Sequence, residues 1–375
     1  MTAVADPAAA RRTGLREEAR RLMAIAAPLM AAYLAEFAMF LTTKLIVGEL
    51  GYRELAAVGL GGSMAFEAMV VLAGLLSITG VLAAEAEGAG DKARAGHAAR
   101  QGLIVAALLA VPMTIFVVNI DAVFAATGQD EEVTALVRPF AFWLAGFCLP
   151  VLLFTALRDF VAALSRTRVV MAIGAAAVPV NGFLCAGLVH GRFGLPELGL
   201  AGAGLALTIV NWLMLFALFA YVWATPALRG YGVIRGRLRV DPKVMGTIFR
   251  LGLPVAGLVA VEAGLFMAVG VLSGVLGAAT LAAHQVLMGW IGVPFMIALA
   301  LAEGSMVRVA HGIGRGDPAG SRRAGFVGLA IGAAILTLLV AVPLLLAEEI
   351  ASIFIDRSDP GFAEVSAIVA TLMAV

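Results

Sequence analysis

The chain has 375 residues, of which 62% are hydrophobic and 14% charged, and its formal net charge is +1. Soluble domains run near half apolar and a quarter charged, so this composition calls for a bilayer as solvent, and a near-neutral balance gives no footing for nucleic acid. Two cysteines, Cys148 and Cys185, both in apolar stretches, do not make a disulfide or metal framework and are expected to pack as small apolar residues.

Residues 1–21 form a tail with Arg11, Arg12, Arg16 and Arg20 and no apolar core of its own. The apolar run that follows is too long for a cleaved signal peptide and is expected to be the first membrane span. Runs of about 20 apolar residues, enough to cross a bilayer, then recur along the chain. The expected spans are 22–47, 55–84, 98–119, 136–157, 169–190, 199–223, 250–274, 279–306, 324–346 and a last one starting near 362 that Val375 cuts short. The fold class is thus an all-α polytopic membrane protein with nine to ten spans. It divides into a first lobe of six helices over 22–223, a basic linker over 224–249 and an incomplete second lobe over 250–375. The linker carries Arg229, Arg235, Arg237, Arg239 and Lys243. With this span count, 21 of the 26 lysines and arginines fall on the side of the N-terminal tail, and only Arg53, Arg138, Arg192 and Arg357 fall opposite. Positive charge is retained in the cytoplasm, so the tail is expected there and the protein in a bacterial inner membrane.

An internal repeat sets the architecture. A shift of 226 residues aligns 28–91 with 254–317 without a gap. It places Pro28 on Pro254, Glu36 on Glu262 and Phe40 on Phe266. It also places Gly48-Glu-Leu-Gly51 on Gly274-Val-Leu-Gly277, Leu55-Ala-Ala57 on Leu281-Ala-Ala283, and Gly88-Ala-Gly90-Asp91 on Gly314-Arg-Gly316-Asp317. Six spans separate equivalent points, so the copies are parallel, related by an axis along the membrane normal. A functional cavity is expected between the lobes. The second copy lacks the counterpart of roughly its last two and a half spans, judged by the usual span length.

Ionisable residues inside spans are costly, and that cost marks functional candidates. Glu262 lies mid-span, and the repeat puts Glu36 at the same depth in the other copy. If one faces the cleft so does the other, and two converging carboxylates would hold a proton or Na⁺ as a coupled pair. Glu67 is a further mid-span acid. Lys44 lies near the outer surface, where its amine either snorkels to the interface or pairs with Glu67 or Glu36. Glu303 is expected at the interface. Asn181, beside the helix-breaking Pro179, and His284-Gln285 are candidates for a substrate path. The two Gly-x-Gly-Asp segments, Gly88 to Asp91 and Gly314 to Asp317, lack the strand context of a phosphate loop; they read as tight turns whose aspartates cap the next helix. No catalytic triad, metal-spaced His/Cys cluster or nucleotide motif is present, so no enzyme activity and no resident metal or cofactor is expected.

Several of these motifs together resemble the multidrug and toxic compound extrusion (MATE) family. They are Arg250-Leu-Gly-Leu-Pro-Val255 followed by Glu262, Ala282-Ala-His-Gln285, Val307-Arg-Val-Ala-His-Gly-Ile-Gly-Arg-Gly-Asp317, and Gly194-Leu-Pro-Glu-Leu-Gly-Leu-Ala-Gly-Ala-Gly204. The resemblance covers nearly the whole chain. It implies twelve helices in two lobes and export of organic cations or amphipathic drugs in exchange for H⁺ or Na⁺ by alternating access. It makes Glu262 the cation-coupling residue and Asn181 a polar cavity position. Two departures stand out. The first-span aspartate of the family is Thr43 here, with Lys44 beside it, leaving Glu36 as a substitute, and the acidic residue late in span ten would lie beyond Val375. The expected partners are a small organic cation and the bilayer, with the chain acting as a monomer. The alternatives are a lipid-linked saccharide flippase of related fold, which would need several cavity arginines, and a truncated non-transporting membrane protein.

Overall fold

The computed structural model describes residues 7–126, 131–234, 236, 239–275 and 278–345, with many side chains left out before residue 14, between 267 and 289, and after 339. Nine helices among the described residues are long and apolar enough to span a membrane. They are α1 (Pro7–Gly48), α2 (Tyr52–Gly88), α3 (Lys92–Val118), α4 (Glu131–Ala163), α5 (Arg168–His190), α6 (Leu200–Ala224), α7 (Pro242–Val275), α8 (Ala278–Gly314) and α9 (Pro318–Leu345). The span expected to start near 362 lies outside the described residues. No strand occurs among the residues described, since in hydrocarbon the backbone has to bond to itself within each segment.

The helices overrun the expected spans because a helix does not stop where the bilayer does. α1 incorporates most of the supposed tail from Pro7 onward, and Glu17 pairs with Arg20 and Arg21 at 3.1 and 3.0 Å along one face. α7 starts at Pro242, inside the supposed linker, where Asp241 Oδ1 accepts from the Lys243 and Val244 amides at 3.0 and 3.4 Å. The two Gly-x-Gly-Asp segments are matching turns. Gly90 (φ 75°) and Gly316 (φ 66°) take the left-handed conformation that only glycine adopts freely. Asp91 then accepts from the Arg94 amide at 2.9 Å and Asp317 from the Gly320 amide at 2.8 Å.

The remaining connector is strapped to α3. Arg100 donates to the Gly232 carbonyl at 2.6 Å, Gln101 donates to the Arg239 carbonyl at 2.7 Å, and Gln101 accepts from the Asp241 amide at 2.9 Å. Tyr231 donates to Glu87 at 2.8 Å; burial first, and then this bond to a carboxylate, push its phenol up to about 12. The Asp241 carboxyl sits below its usual range, chiefly because the His97 ring bonds to it at 3.1 Å. A depressed carboxyl stabilises the folded state above its unfolded pKa of about 3.9, and that contribution is lost as pH falls through the lower folded value. Hydrogen-exchange protection of the Lys243 and Val244 amides should therefore collapse below about pH 4. It should be lost at neutral pH in Asp241→Ala; unchanged protection in that variant would show that the cap does not hold the strap.

The first lobe is built around the second half of α4. Thirteen of the residues between Pro150 and Ala163 are buried, so this segment has no lipid-facing side, and α2, α3 and α6 pack around it. The second lobe's helices pack on the first in a way the repeat dictates: α1 lies on α8, and α7 lies on α2. Gly88 is against the His311 carbonyl and Gly314 against the Glu85 carbonyl. These are the same contact twice, since 88 and 85 become 314 and 311 on adding 226. The ends of α2 and α8 thus cross on the repeat axis, with glycine at each crossing because the backbones leave no room for a Cβ.

Candidate functional site: a charged seam between the lobes

Close contacts between the lobes gather at the end that carries the N-terminal tail. Gly14 meets Arg323, Ala26 meets Gly304, Leu75 meets Gly252, and Phe37 meets Gly292 about half-way across. Glu18 and Arg308 form a bidentate pair, 2.8 Å at both oxygens, with both side chains about nine-tenths buried. His311 bonds to the Ala163 carbonyl at 2.7 Å. Among the described residues, these contacts close the lobes on each other at that end.

Inside the seal lies a cluster drawn from three helices and both lobes. Arg158 of α4, with a side chain only 7% exposed, is 3.6 Å from Glu36 of α1 and 3.4 Å from its neighbour Asp159. Its guanidinium lies 4.6 Å from the centre of the Tyr33 ring, an arrangement in which the ring face attracts the cation. The Tyr33 hydroxyl donates to Glu303 of α8. Asp159 is 5% exposed, and α2 makes room for it with Gly80, where a Cβ would lie 3.2 Å from that of Asp159. The seam therefore holds three carboxylates against one guanidinium. It occupies one side of the axis only, because the repeat equivalents of Tyr33 and Glu303 are Val259 and Ser77.

The structure distributes the sequence candidates unevenly. Glu36 and Glu262 do not form the expected pair: Glu36 is engaged by Arg158, whereas Glu262 is exposed and forms no ion pair among the described residues. Repeat symmetry fixes depth and facing in each lobe, but it does not bring the two acids together: the partner that Glu36 meets comes from α4 of its own lobe. Glu262 continues the α7 stripe of Val255 and Val259, both 3.5 Å from a Cβ placed on Gly74 of α2. Two turns outward from Gly74 on the same stripe of α2 is the half-buried Glu67, so these two acids lie on facing stripes of packed antiparallel helices. Thr43 and Asn181 do not line an open path. Both are fully buried between α1 and α5, where the Asn181 amide donates to Thr43 Oγ1 at 3.0 Å and to the Met39 carbonyl at 3.1 Å. Lys44 pairs with neither acid; its amine sits 4.5 Å from the Phe40 ring centre. His284 and Gln285 lie in α8, with side chains outside the described residues. Glu303, expected at the interface, is part of the seam. Arg158 and Asp159 fall just past the expected span 136–157, yet the helix runs on to Ala163. The signal against that placement was the run Phe160-Val-Ala-Ala-Leu164, more than a turn of apolar residues beyond them.

Known proteins with similar sequences fit this geometry. The MatE family model matches residues 28–187 and 254–375, two segments that follow the internal repeat. "Probable multidrug resistance protein NorM" of Bradyrhizobium diazoefficiens is 35% identical over 362 residues, 96% of this chain and 77% of that protein. "Multidrug resistance protein NorM" of Burkholderia vietnamiensis is 34% identical over 352 residues, 94% of this chain and 76% of that protein. In fold, the chain is similar to the eukaryotic MATE transporter AtDTX14, with a TM-score of 0.86 at 22% identity, covering 96% of this chain and 80% of that one. It is also similar to an outward-facing multidrug resistance MATE family transporter, with a TM-score of 0.78 at 21% identity, covering 95% and 78%. Matched across both repeats and along nearly its whole length, this chain belongs to the MatE family of multidrug efflux transporters, and it is a transporter rather than an enzyme.

Proposed function

We propose that the chain is a monomeric secondary antiporter of a bacterial inner membrane, tail inward, exporting organic cations or amphipathic drugs in exchange for H⁺ or Na⁺. The lobes rock about the crossing of α2 and α8, so that the substrate site between them faces one side of the membrane at a time. The observation that carries this reading is the seal. Buried charges from both lobes close one end, while Glu262 on α7 stays exposed beyond it. A carboxylate at that depth is costly unless a cation or proton reaches it. Neutralising it changes the relative stability of the two lobe arrangements, which is how one ion's gradient drives another solute's movement.

The test is efflux of a cationic dye from vesicles, driven by a pH or Na⁺ gradient. Glu262→Gln should lower gradient-driven efflux at least about tenfold, the scale of a typical coupling free energy. Equal efflux in wild type and variant under both gradients would refute Glu262 as the coupling residue.

A further inference from the structure

We infer that Glu36, Asp159 and Glu303, gathered around Arg158, form a proton-binding lock. The closed seam holds at least one proton that the opened seam gives up. The argument is one of charge and burial. Three carboxylates and one guanidinium, all ionised, would leave two uncompensated negative charges in a site closed by packing. Breaking up such an excess by taking up a proton costs far less than burying it. The ionisable groups that meet in the cluster are Tyr33 and Glu36 from α1, Arg158 and Asp159 from α4, and Glu303 from α8, while α2 presents Gly80. Elsewhere in the seal, His311 of α8 bonds to the Ala163 carbonyl, and Glu18 and Arg308 neutralise each other.

A second observation concerns Glu303. Its Oε1 is buried with no hydrogen-bond partner, while Oε2 accepts from Tyr33. An unpaired buried oxygen is less costly on a neutral carboxyl than on a carboxylate. Protonation forms one O–H bond on a carboxylate with a proton taken from water, and opening returns that proton to water. Glu36, with 19% of its side chain exposed, is more accessible than Asp159 at 6% and gives protons a way in. Because the seam joins α8 to α1 and α4, its charge state bears on whether the lobes part at this end.

This deepens the antiport reading and rests on it only for the side of the membrane to which the proton goes. Its test needs neither substrate nor gradient. Ala310→Cys places a thiol in the buried seal, and Arg322→Cys provides an exposed reference on α9. The wild type, whose Cys148 and Cys185 are both buried, serves as the blank. Labelling by a polar maleimide in nanodiscs is followed from about pH 5 to about pH 9 and divided by the rate at the reference thiol. If the closed form binds one more proton than the open form, the ratio rises with pH, up to about tenfold per unit at its steepest. Glu303→Gln should shift that rise, and Glu36→Gln/Asp159→Asn/Glu303→Gln should abolish it. Should the triple variant not fold, the shift in Glu303→Gln alone decides the matter. A flat wild-type profile, or an undisplaced rise in Glu303→Gln, overturns the lock while leaving gradient-driven efflux untouched. Conversely, absent efflux with a pH-dependent seal would sink the antiport reading and spare the lock.

Discussion

Arg158→Met is expected to be the most damaging single change in the described part of the protein, lowering stability by about 3–5 kcal/mol, the cost of removing one partner from a buried ion pair. Methionine fills much of the same volume, so the loss is electrostatic rather than a cavity. Glu36 and Asp159 would keep their places at the bottom of a packed seam with nothing to balance them, and Tyr33 would lose the cation on its ring. The size follows from the position: α4 is enclosed on every side here, so water screens Asp159 poorly. The midpoint of thermal unfolding in detergent measures the effect. Adding Asp159→Asn to Arg158→Met should restore a substantial part of it, because one of the orphaned charges is then gone. If Arg158→Met unfolds at the wild-type midpoint, the seam does not hold ionised carboxylates at all.

The crossing of α2 and α8 should respond nearly as strongly to single methyl groups. A Cβ at Gly314 would press on the Glu85 carbonyl and lie 2.8 Å from the Ala89 nitrogen; one at Gly88 would press on the His311 carbonyl and lie 2.8 Å from its Cα. These obstacles are backbone atoms and cannot turn aside as a side chain can. Alanine has the higher helix propensity, a gain of up to about 1 kcal/mol, whereas overpacking costs about 1–3 kcal/mol, so the clash decides the sign. Gly88→Ala and Gly314→Ala should each lower the unfolding midpoint and abolish dye efflux by forcing the lobes apart at the seal. Because the two contacts are repeat images, the two variants should behave alike. Gly257, with open space where a Cβ would be, is the control: Gly257→Ala should leave the midpoint unchanged or raise it. A Gly314→Ala protein that matches this control would mean that the helices do not cross here.

Much of the fold could be read from the chain because membrane solvent makes strong demands on sequence. Each span needs its apolar run, and the gapless match of Pro28 with Pro254 and Gly88 with Gly314 is a pattern that composition alone does not produce. The ends of helices were harder to read. Pro7 and Pro242 begin helices well outside the bilayer-length windows, since hydrogen bonding along the backbone continues wherever caps and charge pairs permit. The site was the least legible part. Glu36 was picked out by depth, but its partner came from α4, about 120 residues away in sequence, and the Asn181 amide is spent on Thr43 and the Met39 carbonyl between α1 and α5.

The sequence by itself determined the solvent, the spans and the duplicated architecture, because these depend on runs and periods that each segment carries within itself. It also placed charged residues at membrane depth. Only the tertiary structure decided which of them meet. Helix packing turned α4 inward and put Arg158 among acids from two lobes. The pairing of charges across helices depends on rotation and crossing, and neither is written in the order of residues along any one of them.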